Sequence, residues 1–119
     1  MQGRCDSYIR SYRRKARLSQ EDVAFLLGGT SGTSVSRHER GRRVPTVQTA
    51  LAYEIILGQP VGELYRRYLA PLKREIGKRA DHLLKQEPPA AYPGRASYDR
   101  RLNELRRIAS QQMTHGDDA

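Results

Sequence analysis

The 119-residue sequence predicts an all-α protein. Apolar residues recur at spacings of three and four through most of the chain, which is typical of helices with one buried face. Glycine, proline, serine and threonine stand at the ends of these segments, where helices usually begin and end. Runs of β-branched residues and hairpin turns such as Asn-Gly are missing from the sequence, so the pattern does not favour strands.

Two short helices are predicted near the start of the chain. The first covers residues 7–16, where aromatic and aliphatic residues lie at helical spacing. The second covers residues 20–27 and follows Ser19, which is expected to cap it because a serine oxygen accepts a hydrogen bond from the first turn. Three glycines within residues 28–32 then end this helix, since glycine adopts left-handed backbone at little steric cost.

Three further helices follow in the first half of the chain. One covers residues 33–40, and its only large apolar residue is Val35, so most of its surface must face water or a partner. The next begins after Thr46 and ends at Gly58, and the last starts at Pro60. The apolar residues expected to line one face of the fourth helix are Val47, Ala50, Leu51, Ile55 and Leu57, and those of the fifth are Val61, Leu64, Tyr65 and Tyr68.

The rest of the chain is predicted to divide into an arm, a linker and a tail. After a domain of residues 1–69, residues 70–87 continue with apolar positions four apart, and Pro71 is expected to kink or restart that helix. Residues 88–97 hold three prolines within six positions, which is typical of an extended linker. Residues 98–119 contain a helical pattern that fits either a docking helix or a largely disordered tail.

The chain is strongly basic. It carries 22 Lys and Arg against 13 Asp and Glu, and 18 of the basic residues are arginine. Arginine presents a rigid fork of donors that suits phosphate and guanine edges, so this composition favours a nucleic-acid partner. Residues 1–68 hold most of the excess, at net +6. The charge alone is equally compatible with arginines that only solvate helix surfaces.

The sequence argues against enzymes, metal sites and membrane spans. Cys5 is the single cysteine, which excludes an intramolecular disulfide and favours a reducing compartment. His38, His82 and His115 lie in separate segments, so they predict neither a metal site nor a catalytic triad. The glycines of residues 28–32 lack the Gly-Lys-Ser/Thr ending of a phosphate loop. We expect no enzymatic activity, no cofactor, no secretory signal and no membrane-spanning segment.

The second and third predicted helices, joined by a tight glycine turn, form a helix-turn-helix pattern. A recognition helix has to expose side chains that hydrogen-bond base edges while one or two apolar residues anchor it. Polar residues around Val35 have this distribution, and basic residues follow where the chain leaves the helix, a position suited to phosphate contacts. The candidate groove residues are Thr33, Ser34, Ser36 and Arg37, and the candidate phosphate contacts are Arg40, Arg42 and Arg43.

These residues resemble the lambda-repressor-like, or Xre-type, helix-turn-helix domain of bacterial and phage regulators. The resemblance runs from about Ile9 to Tyr65. It implies a compact five-helix domain that binds duplex DNA, usually as a dimer on a two-fold operator, and usually represses transcription. The motifs that carry it are Tyr12-Arg13, Leu18-Ser19-Gln20, Val23-Ala24, Val35-Ser36-Arg37-His38-Glu39-Arg40-Gly41, Pro45-Thr46 and Gly58-Gln59-Pro60-Val61 leading to Leu64.

The resemblance also implies roles for single residues. Gln20 corresponds to a glutamine of the second helix that reaches a phosphate and sometimes a base. Thr33, Ser36 and Arg37 fall on the base-contacting face, with Arg37 the strongest candidate for base readout. Gly32 occupies a further position of that face but has no side chain to offer.

Two more features of the resemblance concern the support of the third helix. Arg13 and Glu39 match a buried ion pair that joins the first and third helices in this family. The chain departs from the family pattern by one extra residue between Gly28 and Val35, which predicts a wider turn. It also has His38 where an apolar residue is usual, so we expect this histidine to be partly buried.

We therefore predict a sequence-specific regulator that inserts residues 33–40 into the major groove of double-stranded DNA and usually acts as a repressor. A homodimer is expected, with the C-terminal helices serving dimerisation or a protein partner, in a cytoplasmic, nucleoid-associated setting. Two alternatives stay open. One is a protein-interaction adaptor that uses residues 72–84 as its interface, and the other is a non-specific, basic nucleic-acid-binding protein.

Overall fold

The computed structural model describes residues 7–29, 31–86 and 94–113. Within these ranges the chain forms helices and turns without strands, which confirms the predicted all-α class. The chain divides into two compact units, Met1–Leu69 and Ala70–Ala119.

The helices follow one another with short connections. Among the described residues, five helices lie wholly within the first unit: α1 (Ile9–Lys15), α2 (Gln20–Leu26), α3 (Thr33–Glu39), α4 (Val47–Leu57) and α5 (Val61–Leu64). Helix α3 is the predicted recognition helix. Helix α6 (Arg66–Leu84) begins in the first unit and continues into the second. The second unit also contains α7 (Arg95–Ala109) and a 3-10 helix (Ser110–Met113).

Each of the first five helices contributes one fully buried side chain to a common core. Full burial of an aliphatic or aromatic side chain stabilises a fold by about 1.5–3 kcal/mol, so five such residues can hold these short helices together. Partly buried neighbours such as Tyr12, Ile56 and Leu57 pack against this centre. The fully buried residues are Ile9, Val23, Val35, Tyr53 and Leu64.

The caps that the sequence predicts are formed. The Ser19 hydroxyl accepts a hydrogen bond of 2.9 Å from the Asp22 backbone N–H, and the Asp22 carboxylate accepts one of 2.9 Å from the Ser19 N–H. These two bonds satisfy donors that the first turn of α2 leaves free. At the start of α4, the Thr46 hydroxyl accepts from the Thr49 N–H at 3.2 Å. Gly28 ends α2 with a φ of 89°, in the left-handed region.

Helix α4 turns a different face to the core than the sequence analysis expected. Three of the predicted face residues, Val47, Leu51 and Ile55, are exposed to solvent. Tyr53 is fully buried instead, and Ile56 packs beside it. Helix α4 is apolar nearly all round, so hydrophobic spacing does not distinguish its sides. The side that carries Tyr53 faces the core.

The break between the last helices also differs from the expectation at Pro71. Helix α6 is continuous through Pro71, and the interruption lies at Tyr65, whose φ of −118° and ψ of 37° are outside the helical region. Because α6 begins at Arg66, Pro71 lies near its N-terminus, where the missing N–H removes one backbone hydrogen bond close to the helix end. The fifth predicted helix is therefore short and ends at Leu64.

The second unit packs its helices through small residues. Gly77 of α6 is buried, and a Cβ there would lie 3.0 Å from Gln112 Cβ and 3.2 Å from the Ala109 carbonyl oxygen. Helix α7 starts at Arg95, three residues before the predicted start at residue 98, and thus inside the predicted linker. The proline-rich residues 88–93 and the final residues 114–119 lie outside the described part of the chain.

Candidate nucleic-acid interface

Helix α3 has two chemically different faces. At about 100° per residue, Val35 and His38 lie on one side, and both side chains are buried. Thr33, Ser36 and Arg37 lie on the opposite side, together with the exposed Arg40 at its C-cap. We call these last four residues the α3 outer face. The side chain of Ser36 is half-buried and those of the other three are exposed.

The α3 outer face has hydrogen-bonding capacity that the folded chain leaves unused. Among the residues that the structure describes, the guanidinium groups of Arg37 and Arg40 form no hydrogen bond or ion pair. The same holds for Arg42 and Arg43, which are exposed directly after the helix. Four arginines within seven residues thus present exposed guanidinium donors to solvent. Phosphate oxygens and the acceptor atoms of base edges bind such donors.

A buried ion pair supports α3 from behind. The Arg13 Nε lies 2.5 Å from Glu39 Oε2, and the exposed fractions of the two side chains are 11% and 2%. Arg13 Nη2 also donates to Glu39 Oε1 at 3.3 Å, and Nη1 donates to the Leu18 carbonyl oxygen at 2.8 Å. This network joins the end of α3 to α1 and to the segment that leads into α2.

Gln20 takes part in the same network. Its side-chain amide donates a hydrogen bond of 3.1 Å to Glu39 Oε1. The side chain remains half-buried at the start of α2, beside the N-terminal end of α3, since its Cβ is 2.9 Å from where a Cβ of Gly32 would lie. In the free protein Gln20 therefore orients Glu39, and its amide oxygen accepts no hydrogen bond from the described residues.

The turn between α2 and α3 is tightened by a side chain that the sequence analysis did not single out. The Glu21 carboxylate accepts a hydrogen bond of 3.2 Å from the Gly32 N–H. A Cβ at Gly32 would lie 2.8 Å from that same Glu21 oxygen, which is closer than real Cβ contacts. Gly32 therefore serves close approach of α2 to the start of α3. The sequence signal for this contact is an acidic residue in the first turn of α2. Such a residue is already expected there, because the helix dipole favours negative charge, so the signal does not indicate a contact with Gly32.

The inner face of α3 is fixed by a polar contact with α4. His38 Nδ1 and the Tyr53 hydroxyl are 2.7 Å apart, and the two rings pack edge to face at a centroid distance of 5.5 Å. Burial lowers the pKa of His38, and the positive charge of Arg43 lowers this pKa further. Burial also raises the pKa of Tyr53. Both groups are consequently neutral at pH 7, as two buried partners should be.

Ser34 stands apart from the other candidate groove residues. It is exposed, but it lies on the flank of α3 between the outer and inner faces and lines an open groove of about 430 Å³. Val35 and His38 line the same groove, and Arg43 and the start of α4 form its other wall. The turn glycines Gly28 and Gly29 border it.

Arg66 and Arg67, at the start of α6, are engaged in contacts with α1. Arg67 Nε donates a hydrogen bond of 3.0 Å to the Tyr8 hydroxyl, which lowers the pKa of Tyr8. The Arg66 guanidinium lies 4.6 Å from the centre of the Tyr8 ring. One turn further along α1, the Tyr12 hydroxyl donates a hydrogen bond of 2.6 Å to Glu63, which raises the pKa of Tyr12. These contacts tie α1 to α5 and to the first turn of α6.

Metal and membrane sites receive no support from the described residues. Residues 7–29, 31–86 and 94–113 hold no group of three or more His, Cys, Asp or Glu side chains that could bind a metal ion. Cys5 and His115 lie outside these ranges. In the same ranges, no helix combines the length and apolar character that crossing a bilayer requires.

Comparison with known proteins gives one match. A family model described as "Helix-turn-helix" matches residues 9–64, which confirms the resemblance predicted from the sequence. No curated protein and no solved structure matches the chain.

Proposed function

We propose that this chain, whose residues 9–64 match the helix-turn-helix family model, is a regulator that recognises a specific sequence in double-stranded DNA. Domains of this family bind DNA in general, and our proposal adds that this chain prefers a specific DNA sequence. The α3 outer face is the observation that carries it. This face combines hydroxyl and guanidinium donors on one side of a helix whose other side is buried.

In this proposal some residues of the region contact bases and others contact phosphates. Arg37 lies in the last full turn of α3, and a guanidinium there can reach the O6 and N7 atoms of guanine in the major groove. Thr33 and Ser36 add hydroxyl groups that both donate and accept. Arg40, Arg42 and Arg43 follow at the helix end and hold the phosphate backbone, which sets register but carries no sequence information.

The support behind α3 makes this surface suitable for recognition. Base readout requires that side chains be held to a fixed geometry, and α3 is held at three points. Glu39 is paired with Arg13, His38 is bonded to Tyr53, and Gly32 is bonded to Glu21. We further propose that the protein acts as a repressor by occupying its operator, which is the usual action of the regulators that this domain resembles.

Selection of bound duplexes from a random pool, followed by titration of the most enriched duplex with the protein, tests this proposal. We expect a consensus sequence of at least several base pairs. Arg37→Ala should reduce binding of the consensus by about 1–3 kcal/mol and relax the preference at one position. Arg42→Ala should weaken all duplexes alike and reduce the slope of log affinity against log salt by about 0.9.

Arg100→Ala is the matched control, because it removes one exposed charge from α7 in the other unit. It should leave the consensus and the α3-dependent preference unchanged. A random pool that returns no consensus would support non-specific binding. Equal losses of affinity on every duplex for Arg37→Ala and Arg42→Ala would contradict the proposal that Arg37 contacts a base and Arg42 a phosphate.

A second candidate function is that of a protein-interaction adaptor. It is favoured by α6, which leaves Leu72, Ile76 and Leu83 substantially exposed between basic residues. A gel-shift titration with random duplexes over a salt series discriminates the two. If the adaptor reading is correct, a triple variant of Arg37, Arg42 and Arg43 to alanine will bind duplexes no worse than the unmodified chain.

A further inference from the structure

The open groove on the flank of α3 has the size of a site for a small molecule. Its volume of about 430 Å³ lies within the range that is usual for ligand pockets. Ser34, Val35 and His38 form one wall, and Arg43 and the start of α4 form the other. All of these residues belong to the first unit. We call this space the flank groove.

The lining of the flank groove combines apolar surface with a few polar groups. Leu27, Val35 and Val44 supply aliphatic carbon, and Ser34 and Thr49 supply hydroxyl groups. Ligand sites usually have this composition, because apolar contact provides affinity and a few polar groups fix the orientation of the ligand. None of the described residues that line the groove is acidic.

Arg43 gives the flank groove a positive charge that its lining does not neutralise. The guanidinium group is exposed and forms no hydrogen bond or ion pair with the described residues. Its charge acts inside the groove, since burial and then the positive charge of Arg43 lower the pKa of His38. A free guanidinium beside an apolar wall favours a ligand that carries an anionic group.

His38 supplies a second donor to the flank groove. The residue is 6% exposed, and its Nε2 has no hydrogen-bond partner among the described residues and is not sealed from solvent. The buried Tyr53 hydroxyl has only His38 Nδ1 as a partner there, at 2.7 Å. Both groups are satisfied when Tyr53 donates to Nδ1, because the hydroxyl proton would otherwise lack an acceptor. The proton of the neutral imidazole is then on Nε2, which can donate to a ligand.

From these observations we infer that the flank groove binds a small organic anion, which carries one anionic group on a compact apolar body. The anionic group accepts hydrogen bonds from Arg43 and from His38 Nε2, and the apolar body packs against Leu27 and Val35. This site does not depend on the proposed function. Because Arg43 is also a proposed phosphate contact, the ligand should weaken binding to DNA, and this consequence does rest on the proposed function.

Titration of the isotope-labelled full chain with phenyl phosphate, at constant ionic strength and without DNA, tests the inference. We expect saturable changes of the amide shifts of Ser34, Val35, His38 and Arg43, with a dissociation constant of roughly millimolar order. Methyl phosphate carries the same anionic group without the ring, so it should bind at least about tenfold more weakly. Equal affinities would indicate a site for phosphate alone, such as a phosphate of the DNA backbone, and would overturn the inference.

Replacement of single arginines separates this site from general attraction to a basic protein. Arg43→Gln should raise the dissociation constant of phenyl phosphate at least about tenfold, because a charge-assisted hydrogen bond is lost. Arg42→Gln is the matched control, since Arg42 is also exposed and unpaired among the described residues but does not line the groove. It should leave the affinity nearly unchanged. Equal losses in the two variants, both verified as folded by circular dichroism, overturn the inference.

The ring signals of His38 over a series of pH values provide a test that needs no change at Arg43. Bound phenyl phosphate should raise the pKa of His38, because the anion offsets the charge of Arg43 and stabilises the protonated ring. Tyr53, the other ionisable group against this ring, stays neutral because burial raises its pKa. The ring signals of His82, on α6, should not move. An unchanged pKa of His38 in the saturated protein overturns the inference. None of these outcomes concerns the proposed DNA binding, because no DNA is present.

Discussion

Helices α3 and α4 pack against each other through His38 and Tyr53, yet they present opposite chemistry to solvent. The α3 outer face carries hydroxyl and guanidinium groups, whereas the exposed side chains of Val47, Leu51 and Ile55 on α4 are aliphatic. The difference shows that the solvent-facing side of a short helix, and not its buried side, indicates which partner it is built to meet.

The largest effect on this comparison should come from removing the support of α3. Glu39→Gln leaves the buried Arg13 guanidinium without its anion, and we expect the free energy of unfolding to fall by about 3–5 kcal/mol. Urea denaturation measures the loss. The double variant Arg13→Met with Glu39→Met should recover most of it, because no charge is then left buried. A loss below about 1 kcal/mol for Glu39→Gln would mean that the pair is not buried in solution.

A second effect should come from the turn that places α3. Gly32→Ala puts a Cβ 2.8 Å from Glu21 Oε2 and 2.9 Å from Gln20 Cβ, so the turn has to widen. We expect a loss of about 1–3 kcal/mol in the free energy of unfolding, as is typical of overpacking. Gly29→Ala is the matched control in the same turn, since its nearest contact is 3.4 Å from the Ala24 carbonyl oxygen. Equal stability of the two variants would contradict the close approach.

The contact between the inner faces of α3 and α4 should make stability depend on pH. Folding lowers the pKa of His38 below its usual 6.5, so the unfolded chain binds more protons when the pH falls below that value. The free energy of unfolding should therefore decrease as the pH falls from about 6.5 toward the lowered pKa. Denaturation at a series of pH values measures this decrease, and His38→Gln should reduce the slope in that window. An unchanged slope in His38→Gln would assign the pH dependence to other groups.

The smallest effect concerns the end of α1, which leads into the Arg13 network. Arg17 has a φ of 64°, in the left-handed region that favours glycine. Arg17→Gly should raise the free energy of unfolding by up to about 1 kcal/mol, because the strain of a side chain in that region is relieved. The neighbouring Arg14→Gly, inside α1, should lower it by a similar amount. A decrease for Arg17→Gly would show that its side chain makes a stabilising contact in solution.

Local signals in the sequence predicted much of the first unit. Ser19 and Thr46 identified the starts of α2 and α4, because a hydroxyl before an apolar helical segment has few other local uses. The resemblance assigned Arg13 and Glu39 to one ion pair, although they are 26 residues apart. Spacing alone contains no information about such a distant partner.

The sequence could not predict which side of a helix is buried when more than one side is apolar. Helix α4 is apolar on both sides, so the sequence could not indicate that Tyr53 faces the core and Ile55 faces solvent. The partner of His38 was missed for the same reason, because Tyr53 was hidden among other apolar residues. At Pro71 the expected break is absent, and the chain leaves the helical conformation at Tyr65 instead, a position that no glycine or proline marks.

Mapping of backbone amide shifts on titration with the selected duplex tests the central claim most directly. The account predicts that the largest changes occur at Thr33, Ser36, Arg37 and Arg40 and in the following Arg42 and Arg43, and that Val47, Leu51 and Ile55 change little. Changes concentrated on these three residues of α4, or a titration without changes on α3, would contradict it.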